Sequence, residues 1–177
     1  EVDRVLREEF FVSGRTISDF EDAFADYVGT DHAVAVDSGT RALQIALEGA
    51  GIGEGDTVVT TPASFIATAN AIHHTGADVC FVDVDLETYT LDLEHLEQLV
   101  ASNDVDAVVP VHLYGYPAPI PTIRDIVGNT PIISDSCQAH GATLDGKKIG
   151  ALSTAGCFSF YPSKNMTVGG DGGMVIT

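Results

Sequence analysis

The chain has 177 residues, enough for one domain with a buried core. Hydrophobic residues make up 45% and the mean hydropathy is positive, which argues against disorder despite 26 acidic residues against 8 basic ones. The net charge of −18 disfavours nucleic acid and anionic membrane surfaces as partners.

Taken in order, residues 1–11 read as a helix, broken at Ser13-Gly14-Arg15. Ser18 is the expected cap of a second helix to Val28, with Phe20, Phe24 and Tyr27-Val28 as its apolar stripe and Gly29 as its stop. His32–Val36 is a short apolar strand, and Ser38-Gly39-Thr40 opens a helix to about Glu48. Ala42, Leu43, Ile45, Ala46 and Leu47 make that helix nearly all buried. A strand at Thr57–Thr61 leads to a helix at Phe65–His74, and a strand at Asp78–Val82 to a helix at Leu93–Ala101. The strand Ala107–Val111 precedes a helix at Ile120–Val127, and the strand Pro131–Ser134 ends in Asp135. Hairpins follow: Ala142–Leu144 with Lys148-Ile149, then Ala155–Phe160, then Gly173–Thr177. Asp145-Gly146-Lys147-Lys148 reads as an exposed hairpin turn.

Repeated β-α units predict an α/β fold: a three-layer, mostly parallel sheet with helices on both faces. Ligands of such sheets bind outside the carboxyl ends of the strands. Ser38-Gly39-Thr40, Ser64-Phe65, Asp135 and Ser159 all fall at such ends. The run Met174-Val175-Ile176-Thr177 stops inside a strand pattern, so residues 1–177 are expected to be one domain of a larger whole.

Of three lysines, Lys164 alone lies between aromatic residues and glycines, in Ser159-Phe160-Tyr161-Pro162-Ser163-Lys164 before Gly169-Gly170-Asp171-Gly172-Gly173. There it is a candidate Schiff-base nucleophile or a surface lysine of a hairpin loop. Ser38-Gly39-Thr40 is an anion site suited to phosphate or a plain helix cap. No dinucleotide fingerprint or Walker A sequence accompanies it. Asp135, at the end of an apolar strand, needs a cation or strong donor such as a protonated pyridine nitrogen, or else caps the Cys137–His140 segment. Phe65 is placed to lie against an aromatic cofactor or to fill the core at a helix start. His140 touches the site or packs. Cys80, Cys137 and Cys157 form no C-x-x-C pair and the six histidines no H-x-x-x-H set, so neither disulfide framework nor metal site is expected. The opening Glu1-Val2-Asp3-Arg4 is unlike a leader and no apolar run approaches a membrane span, so cytoplasm is the expected compartment. The scattered acids are similar to the acidic surfaces of halophile proteins.

Seven landmarks in order carry a resemblance over nearly the whole chain. They are Ser13-Gly14 before the helix Phe20–Val28, Asp37-Ser38-Gly39-Thr40-Arg41-Ala42-Leu43, and Thr61-Pro62-Ala63-Ser64-Phe65-Ile66-Ala67-Thr68-Ala69-Asn70. Phe81-Val82-Asp83-Val84, Pro110-Val111-His112-Leu113-Tyr114-Gly115, Asp135-Ser136-Cys137-Gln138-Ala139-His140-Gly141-Ala142 and Ser159–Lys164 complete them. The sequence resembles the DegT/DnrJ/EryC1/StrS sugar aminotransferases, enzymes of pyridoxal 5′-phosphate (PLP). The resemblance implies a fold-type I large domain, followed in the family by a small C-terminal domain that is absent here. It implies Lys164 as the Schiff-base lysine and acid–base group, Asp135 at the pyridine nitrogen, and Ser38, Gly39, Thr40 and Ser159 around the phosphate. Phe65 would stack on the ring and Gln138 would contact its 3-hydroxyl side. The implied reaction moves an amino group from glutamate to a keto group of a nucleotide-linked sugar, in amino-sugar and surface-polysaccharide biosynthesis. The family works as homodimers with shared sites, and relatives that dehydrate deoxysugars lack this lysine. An aminocyclitol-type ketone as acceptor, or a non-catalytic interaction or regulatory module on the same fold, are the alternatives.

Overall fold

A computed structural model describes residues 2–9 and 14–177. The expected helix over residues 1–11 is seen as α1 (Val2–Glu8); its residues 1, 10 and 11, and the expected break at Ser13, lie outside the described residues. Helix α2 (Arg15–Val28) begins ahead of Ser18, which therefore lies within its first turns and is not the cap. The capping acceptor comes from elsewhere: the Glu9 carboxylate takes the Thr16 N–H at 3.0 Å, which holds that carboxyl below its usual range. Gly29 ends α2 in the left-handed region, at φ 88°.

Strand β1 (Ala33–Val36) leads into α3 (Gly39–Gly49), then β2 (Thr57–Thr60), α4 (Ala67–His74), β3 (Asp78–Phe81), α5 (Leu93–Ser102) and β4 (Ala107–Val108). A 3-10 turn at Leu113–Gly115 precedes α6 (Ile120–Val127) and β5 (Ile133–Asp135). The hairpin β6 (Thr143–Leu144) and β7 (Lys147–Lys148) is followed by β8 (Ala155–Ser159) and β9 (Gly173–Ile176). The hairpin turn is Asp145-Gly146, both left-handed at φ 51° and 79°, so the two lysines belong to the returning strand. Lys148 Nζ stands 4.1 Å from the Tyr27 ring centroid.

Ladders β3-β2-β4 and β1-β9-β8-β5 are joined by the parallel bridges Val108 to Ile132 and Val111 to Asp135. The sheet order is β3-β2-β4-β5-β8-β9-β1, and only β9 runs against its neighbours. The ladder at β4 is shorter than its apolar run because Pro110 has no N–H to give; its carbonyl instead accepts from Asp135 N at 2.9 Å.

Alternation along each strand divides the core. Val58, Ala107 and Ile133 face α3 and α4, whereas Val59, Val108 and Ile132 face α5 and α6. Phe158, Phe160, Met174 and Ile176 pack with Phe24 and Val28 of α2. Both faces are covered, as expected of a three-layer α/β domain. Ile45 departs from expectation: it lies on the outer side of α3, 40% exposed. No helix among the described residues is long and apolar enough to cross a membrane.

Candidate active site

At the carboxyl edge of the sheet lies a cavity of about 550 Å³. Ser38, Gly39, Thr40, Phe65, Asp135, Gln138, Ser159 and Lys164 all line it, although they span 127 positions of the chain. The sheet makes this convergence: β1, β5 and β8 run parallel, so the residues at and after their carboxyl ends emerge along one rim.

One end of the cavity is the N-terminus of α3. Ser38 is extended and its hydroxyl accepts from Arg41 N at 3.2 Å, so the capping reading of this residue is realised. The Gly39 and Thr40 N–H groups precede any intrahelical acceptor and remain available to an anion, which makes cap and anion site compatible. Gly39 is required by close packing, because a Cβ there would lie 2.7 Å from Ser159 Cβ and 2.8 Å from Cys137 Sγ. The buried Ser159 ends β8 beside it.

Asp135 ends β5 and is buried, at 6% exposure. Its Oδ2 accepts from Thr68 Oγ1 at 2.7 Å and its Oδ1 from Cys137 N at 3.1 Å. The second bond realises the cap-like reading of Asp135 only in part: the following Ser136–Ala139 segment is a turn, closed by Ala139 N to Ser136 O at 2.9 Å, and not a helix. No described cation lies within ion-pair distance of the carboxylate, so the charge is carried by donors alone.

Gln138 Oε1 accepts from the Tyr114 N–H at 3.1 Å, which leaves the Nε2 donors as the free end of the amide. Lys164 sits in the turn after β8, where its N–H bonds Tyr161 O at 2.8 Å. Phe65 does not fill the core; it is 66% exposed ahead of α4 on the cavity wall. His140 packs against Phe158 and Phe160, with centroids at 5.3 and 5.7 Å, and burial lowers its pKa, helped by the nearby Lys164 charge. It is not among the lining residues. Cys137 is, and burial together with the Asp135 charge pushes its thiol well up, so it remains protonated.

Sequence reasoning missed Thr68, whose hydroxyl fixes Asp135, and the wall residues Cys137, Tyr161, Ser163 and Asp171. Thr68 follows Ser64 by one helical turn inside an otherwise apolar stretch, a spacing that marks a polar pair on one face.

The donor set fits PLP. A helix N-terminus with a serine and a threonine suits a phosphate, a dry carboxylate suits a protonated pyridine, and an amine stands on the same wall.

A model of the DegT/DnrJ/EryC1/StrS aminotransferase family matches residues 1–177. A pleiotropic regulatory protein of Geobacillus stearothermophilus is 40% identical over 178 residues, covering 99% of this chain and 48% of that protein. The dTDP-3-amino-3,4,6-trideoxy-alpha-D-glucose transaminase of Streptomyces venezuelae is 43% identical over 176 residues, covering 98% and 46%. The solved structure of S. venezuelae DesV in complex with a ketimine intermediate superposes with a TM-score of 0.95 at 42% identity, covering 99% of this chain and 48% of that one. The chain thus spans about half the length of the curated relatives it matches.

Proposed function

This chain belongs to the DegT/DnrJ/EryC1/StrS aminotransferase family, and from that premise we propose that it is the cofactor-binding domain of a PLP-dependent sugar aminotransferase. PLP is the cofactor of this family. The amino donor in this reading is glutamate, the acceptor is a keto group on a nucleotide-linked sugar, and the working form is a homodimer. The observation that carries the reading is the convergence of Lys164, buried Asp135 and the open N-terminus of α3 on one cavity.

When bound, PLP supplies an aldehyde that takes up an amino group and a pyridinium ring that draws off electrons. The chain's own residues do the rest. The N–H groups of Gly39 and Thr40 and the hydroxyls of Thr40 and Ser159 bind the phosphate, beside the capping Ser38, whose own proton goes to Asp37 Oδ1 at 3.0 Å. Asp135, held from two sides by Thr68 and Cys137, keeps a proton on the ring nitrogen. Gln138, with its oxygen occupied by Tyr114, turns Nε2 toward the ring hydroxyl. Phe65 covers one ring face and excludes water. Lys164 Nζ would hold the cofactor and, once released, would act as the general base and acid that takes a proton from, or returns one to, the amino-bearing carbon of the bound substrate.

The homodimer is supported by the exposed Ile66, Tyr161, Met166 and Val168 near the cavity, apolar surface suited to a second subunit. The test is spectroscopic. PLP added to the protein gives the visible absorbance of lysine-bound cofactor; L-glutamate abolishes it and a keto sugar nucleotide restores it. A spectrum that glutamate leaves unchanged overturns the catalytic reading in favour of a non-catalytic module. Restoration by an aminocyclitol-type ketone alone reassigns the acceptor.

A further inference from the structure

The 3-10 turn after β4 holds a residue that the reading above uses only through its backbone. Tyr114 adopts φ 53°, ψ 22°, a left-handed conformation that a bulky L residue rarely takes, and its side chain is 88% exposed. Glycine or asparagine would hold this position with less strain, and the ring contributes nothing to the core in return.

The turn itself is firmly set. His112 N bonds Asp135 O at 3.1 Å, Gly115 N bonds His112 O at 3.1 Å, and Tyr116 N bonds Leu113 O at 2.9 Å. His112 Nδ1 also accepts from Ala118 N at 2.9 Å beneath the turn. Tyr114 N reaches the cavity-lining Gln138 at 3.1 Å, and a Cβ on Gly115 would sit 3.4 Å from Gln138 O. Tyr114 therefore stands next to the cavity-lining Gln138, outside the cavity wall itself, on a backbone that does not need the exposed ring. Tyr89 shares a positive φ and an exposed ring, but it closes a local turn to Asp85 O at 2.8 Å and bonds no residue of the cavity.

We propose that Tyr114 is a substrate-binding residue, whose exposed ring packs against the sugar of the nucleotide-linked acceptor as that sugar enters over Gln138. This rests on the sugar aminotransferase reading above. A pyranose offers a flat C–H face to an aromatic ring, and the tyrosine hydroxyl can meet its hydroxyl groups at the edge. The ring takes no part in holding PLP, so donor chemistry does not depend on it.

Tyr114→Gly separates ring from backbone, because it keeps the N–H to Gln138 and suits the left-handed turn. With PLP-loaded protein, dTDP-, UDP- and GDP-glucose serve as unreactive probes in calorimetric titrations. Tyr114→Gly and Tyr114→Asn are expected to weaken the best of the three by about tenfold. Tyr114→Phe is expected to remain near the parent, and each variant is titrated once its visible absorbance shows that PLP is bound. Equal affinity of parent and Tyr114→Gly overturns this inference alone. So does an unchanged affinity accompanied by dissociation into monomers, which would make Tyr114 a subunit contact. Failure of the parent to bind any of the three probes overturns the sugar-nucleotide reading, and this inference with it.

Discussion

Thr68 and Asp135, 67 residues apart in sequence, are joined by a 2.7 Å hydrogen bond from the threonine hydroxyl to carboxylate Oδ2. Because that hydroxyl spends its proton on Asp135, the 2.7 Å contact between Thr68 Oγ1 and Ser64 Oγ is donated by Ser64. The order Ser64 to Thr68 to Asp135 ties α4 to the end of β5. Thr68→Val keeps the shape but leaves a buried carboxylate oxygen unpaired, which costs about 1–3 kcal/mol. Urea unfolding reads that loss, and a PLP titration should show weaker binding; Thr68→Ser should recover most of both. Unchanged PLP affinity in Thr68→Val would show that the orientation of Asp135 is not set by this bond.

Lys164→Ala is expected to abolish the visible absorbance of bound PLP and to slow amino transfer from glutamate by at least about a hundredfold. Lys164→Arg keeps the charge and much of the length, yet a guanidinium neither forms the bond nor gives up its proton. The arginine variant should therefore match alanine in the spectrum. A parent-like spectrum in either variant would remove the lysine from its assigned role.

The course of the chain was legible because strand and helix periods are strong here, with short apolar strands set between helices such as α3 and α4. The cavity was legible because one rule about parallel sheets gathers the ends of β1, β5 and β8. What escaped were side-chain bonds between distant elements. Nothing local in the sequence says that Glu9 caps α2, that Thr68 meets Asp135, or that Tyr114 turns the Gln138 amide. Ser18 looked like a cap because serine before an acidic, apolar run usually is one, but the helix already had an acceptor four residues earlier at Gly14, whose carbonyl takes Ile17 N at 3.0 Å. Ile45 looked buried because α3 is apolar on most sides, and only packing decides which side stays outside.

Gly39→Ala tests the phosphate end by volume alone. The added methyl would press on Ser159 Cβ and Cys137 Sγ at 2.7 and 2.8 Å, both in a packed wall, and should destabilise by about 1–3 kcal/mol. PLP affinity should fall with it, since the wall that shifts carries Ser159. Gly49→Ala, at the other end of the same helix, meets nothing within 4 Å and should be neutral or stabilising by about 0.4–1 kcal/mol. Comparing their thermal midpoints separates close approach from helix propensity.

The last prediction concerns acid. His112 is fully buried, and burial lowers its pKa from 6.5 to about 3. Its Nδ1 accepts from Ala118 N, so a second ring proton would also point at a donor. Between those two pH values the unfolded chain binds a proton that the folded chain refuses. Stability from this group is complete above about pH 6.5 and is lost as the pH falls toward 3, at a limiting slope of about 1.4 kcal/mol per pH unit. His140, lowered chiefly by its own burial, adds a loss of the same sign. The Asp85 carboxyl, held down by the Thr88 hydroxyl and N–H, adds to it at the acid end. His112→Asn keeps an acceptor for Ala118 N while removing the titration, so its thermal midpoint should fall less between pH 7 and pH 4 than that of the parent. Parallel curves for the two proteins would mean that His112 does not govern the acid limb.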